Sequence, residues 1–188
     1  MKRAFVLLCV GALLTGCGSS KKAATTPPHV LPAATTSGEW AVRIVNRLLR
    51  PLTQDLQVVN GFSSSQIRLY ITTQNQTTLT TIRARMGDLK RCSTKLDEIG
   101  PPPAGQRTLR EISDTLGKAC ASYEEVAGKL LEATELLSSG RTEGVAKGDA
   151  VLRKAAPASQ RGAQQLVTAI RLAQQLPEFR RAGLKPSV

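Results

Sequence analysis

Few side chains in this 188-residue sequence could carry chemistry. There is a single histidine, His29, and there are four cysteines, Cys9, Cys17, Cys92 and Cys120. Neither that spacing nor that histidine count fits a zinc finger or zinc ribbon. No C-x₂-C pair occurs, so the cysteines do not read as a dithiol redox motif. The chain after His29 has no histidine, which removes Ser–His and Cys–His nucleophile pairs. The same gap removes the Glu-x-x-His arrangement of di-iron bundles. Asp97-Glu98, Glu124-Glu125 and Glu132/Glu135 are carboxylate pairs. They lie mostly off the apolar seam and read as surface charge rather than as a general acid and base. No phosphate-binding loop or dinucleotide glycine pattern appears. The expectation is a protein that is not an enzyme and takes neither a cofactor nor a metal.

Cys17 is the exception, because of what precedes it. Met1-Lys2-Arg3 gives a cationic start. The apolar run from Phe5 to Leu14 is about half the ~20 residues a helix needs to cross a bilayer. That layout is a secretory signal peptide. It ends in Leu14-Thr15-Gly16-Cys17. These four residues match, position by position, the lipobox of bacterial lipoprotein precursors, which this N-terminus resembles. The resemblance implies cleavage between Gly16 and Cys17, a diacylglyceryl group on the Cys17 sulfur and an extracytoplasmic, membrane-anchored mature chain. It covers residues 1–17 and implies nothing about the rest. Gly18 follows the cysteine, so no acidic residue stands there.

The spacer, 17–36, is rich in Ala, Thr and Pro and lacks a helical period. Its composition buries too little apolar surface to offset ordering entropy, and it reads as a disordered tether. Lys21 and Lys22 would lie beside the lipid, where basic residues favour anionic headgroups. His29 reads as a solvated residue of this tether. Ser19-Ser20-Lys21-Lys22 matches S-x-x-K formally, without the companion motifs that give that pattern meaning.

The body that follows shows four helical periods. The first spans 37–60, with Thr36 and Glu39 as a capping box and Trp40, Ile44, Leu48, Leu52, Leu56 and Val59 on one face. Pro51 interrupts the run without breaking its phase, which predicts a kink. The second spans 64–99, through Ile67, Ile71, Thr78, Ile82, Met86, Leu89, Leu96 and Ile99. Its Thr-rich start, 67–82, has a hairpin about Gln74-Asn75-Gln76 as an alternative. The third, 106–138, repeats Leu109, Ile112, Leu116, Ala119, Tyr123, Val126, Leu130, Ala133 and Leu137 at threes and fours. The fourth, 142–176, runs through Val145, Leu152, Ala156, Ser159, Ala163, Leu166, Ile170 and Ala173. Pro157 predicts a kink there and Pro177 an end. Gly140, Gly144 and Gly148 recur at four and read as close packing or a frayed start. The fold expected is all-α: an up-down-up-down four-helix bundle with kinked first and fourth helices over 37–177. Residues 178–188 read as a basic tail.

Cys92 and Cys120 fall on the second and third helices. A tight turn would leave them about 10 Å out of step at 1.5 Å per residue. The link, Gly100-Pro101-Pro102-Pro103-Ala104-Gly105, holds three prolines that would carry the chain about 9 Å further as polyproline. The mismatch then nearly vanishes, and a Cys92–Cys120 bridge is expected in an oxidising compartment. Two free thiols or inter-chain pairing are the alternatives.

Lys and Arg number 26 against 14 Asp and Glu, a formal charge of +12. Arg83, Arg85, Lys90, Arg91 and Lys95 form the densest basic stretch. Export and an aromatic content of only 3% argue against nucleic acid. Anionic lipid headgroups or wall polymers fit better as partners, beside an unidentified envelope protein. The expected role is a lipid-anchored interaction or structural module of the cell envelope. The alternative is a small-molecule carrier or sensor with a pocket near Gln74, Thr78 and the two kinks.

Overall fold

The computed structural model describes residues 31–60, 69, 76–138 and 141–184. The expectations for the signal peptide, the lipobox, His29 and Gln74 lie outside these residues, as does most of the stretch 67–75. Every regular element among the described residues is helical. They are α1 (Ser37–Arg43), a π-helical segment (Ile44–Leu49), α2 (Arg50–Asn60), α3 (Gln76–Leu89), α4 (Cys92–Ile99), α5 (Arg107–Ser138), α6 (Thr142–Gln175) and α7 (Pro177–Arg181). None is long and apolar enough to cross a membrane.

The first helical period runs unbroken through α1, the π segment and α2. The Thr36 side chain accepts from the Glu39 N–H at 3.1 Å, which fixes the start. Glu39 turns back one residue further than a capping box requires and accepts from the Thr35 N–H and hydroxyl. Pro51 has no N–H to donate, and its ring would press on the carbonyl four residues back. The chain meets this with a wider turn just upstream, where the Arg50 N–H reaches the Val45 carbonyl, five residues back.

The second period is not one helix. The chain tightens at Lys90–Arg91, where the Arg91 N–H bonds to the Asp88 carbonyl at 3.2 Å, and α4 restarts at Cys92. Buried Leu79, Ile82, Met86, Leu89, Cys92 and Ile99 keep phase across the break. Residues 76–82 are helical despite their threonines. The Thr81 hydroxyl donates to the Thr77 carbonyl at 3.0 Å, so it is satisfied within the helix.

The most extensive contact among the described residues is between α5 and α6. They are antiparallel: Leu137 meets Gly148, and about four turns along Tyr123 meets Gly162. α5 also carries α3 and α4. The α1–π–α2 rod packs on α3 and α4, and α7 closes its first turn. The expected face of α5 is the observed one, from Leu109 to Leu137, with Leu130 half-buried. The face of α6 differs. Its buried residues are Gly148, Ala155, Ala158, Gly162, Leu166, Ala169 and Ala173, while Ala156 and Ala163 are exposed. Helices approach most closely where side chains are smallest, so glycine and alanine rather than the larger residues mark this seam. A Cβ on Gly148 would lie 2.9 Å from Leu137 Cγ.

Packing also extends beyond both expected ends. Ala34, within the spacer read from the sequence, is buried. The Leu31 N–H donates to the Glu98 carbonyl at 3.1 Å. Past Pro177 the chain forms α7, and Phe179 is fully buried edge-on against Trp40, with ring centroids 6.0 Å apart.

Candidate functional site

The cysteine pair is built by three elements. Cys92 opens α4, Gly100 takes a positive φ of 82° to leave it, and the proline link delivers the chain to α5. Cys120 then lies level with Cys92, at 5.1 Å between Cα atoms and 2.07 Å between sulfurs. Both residues are buried. The Trp40 indole N–H donates to the Gly100 carbonyl at 3.1 Å, which ties the exit of α4 to α1.

A buried acid stands beside this bridge. Asp55 is only 3% exposed and lies on the apolar face of α2, one turn past Leu52. Arg85 of α3 donates to Asp55 Oδ1 at 2.9 Å. Burial pushes the Asp55 carboxyl above its ordinary range, against the pull of Arg85. Lys95 of α4 pairs with Asp88 of α3 at 3.6 Å, across the tightened turn. Leu48, Leu52, Asp55, Asp88, Cys92 and Lys95 line a partly open void of about 10 Å³, near the lower limit for one water. Ion pair, bridge and void are the joint of α2, α3, α4 and α5. Asp55 was missed in the sequence because a lone acid within an apolar stripe is outvoted by its neighbours. Its position seven residues after Leu48 is the signal that places it inside.

Glu124 departs from its surface reading. Its Oε1 accepts from the Ser93 N–H at 2.7 Å and caps α4 from across the helix pair. Glu125 does face solvent. It binds Lys129 on its own helix and Arg161 of α6, and these cations hold its carboxyl below the usual range. The Ser122 hydroxyl lies 3.1 Å from the Gln165 side-chain amide, a further tie between α5 and α6. Thr78, expected on the inner face of the second helical period, is half-buried.

Surface grooves are open on the described residues. One of about 720 Å³ lies between α4 and α5, lined by Leu96, Asp97, Ser113, Asp114, Gly117 and Lys118 among others. A second of about 410 Å³ lies where α7 meets α1, between Thr36, Val42, Glu178 and Arg181. There the Ser37 hydroxyl donates to Glu178 Oε1 at 3.3 Å. Thr78 lines neither groove, and Gln74, the other residue expected near a ligand, lies outside the described residues. Among the described residues no three His, Cys, Asp or Glu side chains are grouped closely enough to hold a metal ion. The chain matches no protein-family model, no curated protein and no solved structure.

Proposed function

We propose that this chain is a lipid-anchored lipoprotein of the bacterial cell envelope, whose helical body is a non-enzymatic interaction or structural module on the extracytoplasmic side of the membrane. The observation that carries the reading is Leu14-Thr15-Gly16-Cys17 at the end of a cationic and apolar leader. The Cys92–Cys120 pair supports it, because disulfides persist in exported proteins and are rare in the cytosol. So does the absence after His29 of the histidine that common nucleophile pairs require. In this reading the helical rods are an up-down-up-down bundle, bent at Pro51 and Pro157 and clamped by the bridge.

The anchor is tested by intact mass and palmitate labelling of the membrane fraction. Cleavage before Cys17 with a lipid on its sulfur is expected, and Cys17→Ala abolishes the label. Wild-type chain recovered unlabelled and soluble overturns the proposal. Two or more acyl chains give stable membrane residence, each buried CH₂ contributing about 0.8 kcal/mol.

A further inference from the structure

We propose that the outer face shared by α1, the π segment, the start of α2 and α7 docks on anionic phospholipid headgroups beside the anchor, an inference that rests on the anchored reading above. Arg43, Arg47 and Arg50 follow one another at intervals of four and three, along the side of the rod opposite its buried residues. Arg47 and Arg50 are exposed there, and so are Arg180 and Arg181 on the adjoining α7. The two elements form one surface: a Cβ on Gly183 would lie 2.9 Å from the Arg50 guanidinium. Val42, 45% exposed, adds an apolar contact beside Arg181.

Neither carboxylate on this face is paired with Arg47, Arg50, Arg180 or Arg181. Glu39 is held by Arg43 and Thr35; Glu178 Oε1 accepts from the Ser37 hydroxyl, and its Oε2 is buried away from the surface without a hydrogen-bond partner among the described residues. Among the described residues Arg47, Arg50, Arg180 and Arg181 make no ion pair, so their charge is available to a partner. The basic stretch around α3 and α4 is partly neutralised instead, Arg85 by Asp55 and Lys95 by Asp88.

Position favours lipid as the occupant. The described chain enters the body at Leu31 on Glu98, and the Arg43 side chain donates to the Pro32 carbonyl. The link to the anchor therefore arrives one turn from Arg47. Fully extended, the chain between Cys17 and Leu31 reaches no more than about 50 Å. An anchored lipid thus keeps this face at high local concentration near the bilayer. Guanidinium groups bind phosphate through paired N–H donors, and a lipid chain with a basic patch is a two-signal membrane attachment.

The test uses the mature chain from residue 17 carrying Cys17→Ser, so that binding reports the protein surface alone. It is sedimented with phosphatidylcholine vesicles with and without phosphatidylglycerol. Binding to the anionic vesicles alone, reversed by salt, is expected. Combining Arg47→Gln, Arg50→Gln, Arg180→Gln and Arg181→Gln weakens it by about 100-fold, each arginine contributing a factor of about five at most. Arg83→Gln, Lys90→Gln and Arg91→Gln together, on another exposed surface, cost far less. Trp40 emission and circular dichroism verify that each variant is folded. The proposal is overturned if both sets weaken binding equally, if phosphatidylglycerol makes no difference, or if the chain binds a soluble wall polyphosphate and ignores vesicles. Palmitate labelling of the wild type tests the anchor separately, so a failed anchor and a failed docking face are told apart.

Discussion

Asp55 places a titratable carboxyl inside an apolar face, and its behaviour with pH follows from its surroundings. Its folded-state pKa is raised from the ordinary value of 3.8, first by burial. Between 3.8 and the raised value the folded chain therefore holds more proton than the unfolded one. Stability from this group falls as pH climbs through that window and then levels off. Asp55→Asn removes the slope. Urea titrations of both proteins across that range are expected to show a wild-type minus variant difference that declines with rising pH. A difference that rises would contradict the burial. Taking the difference matters because exposed Glu39 and Glu125, whose pKa values are lowered, act in the opposite direction in both proteins. Arg85 is 41% exposed and rehydrates when its partner is lost. Tyr123 is held neutral far above physiological pH, its phenol pushed up to about 12 by burial.

At the scale of the elements, glycines separate the tight seam from the open surface. A Cβ at Gly148 would crowd Leu137 and the Ala133 carbonyl, whereas one at Gly128 would meet nothing within 4 Å. Both lie inside long helices, where alanine is preferred by up to about 1 kcal/mol. Gly128→Ala is expected to raise the melting temperature. Gly148→Ala is expected to lower it, since overpacking a seam costs about 1–3 kcal/mol. The α4–α5 clamp makes its own prediction. The bridge spans a sequence separation of 28, and replacing Cys92 and Cys120 by serine is expected to cost about 3 kcal/mol. Thiol titration of unreduced mature wild-type chain, denatured, should find neither Cys92 nor Cys120 free. The limits of α1–α2, α5 and α6 could be read from apolar periodicity, and the bridge from helix rise plus the proline link. The break at Lys90–Arg91 could not, because the apolar phase passes through it and a Glu124 cap from another helix takes up the freed Ser93 N–H. The face of α6 was misplaced because hydrophobic periodicity weights large residues, while a close helix pair selects small ones.

For the molecule as a whole, the first and last described helices hold each other. Trp40 is fully buried and is covered in part by Phe179, from a stretch whose arginines alone suggested a solvated tail. Phe179→Ala is expected to cost about 3–5 kcal/mol and to shift the emission of Trp40, the single tryptophan of the chain, to longer wavelength. An unchanged spectrum would mean that α7 does not seat on α1. The candidate site was legible only in part: Cys92 and Cys120 were marked by type and spacing, but the arginine face was not. It arises where residues more than a hundred positions apart converge, and no local pattern announces that.

The indole of Trp40 emerges in synthesis well before the ring that covers it. A polypeptide stopped short of Phe179 would display bare aromatic surface on an otherwise helical body. Quality-control proteases that recognise exposed apolar groups would thereby distinguish a copy that carries the covering ring from one that lacks it.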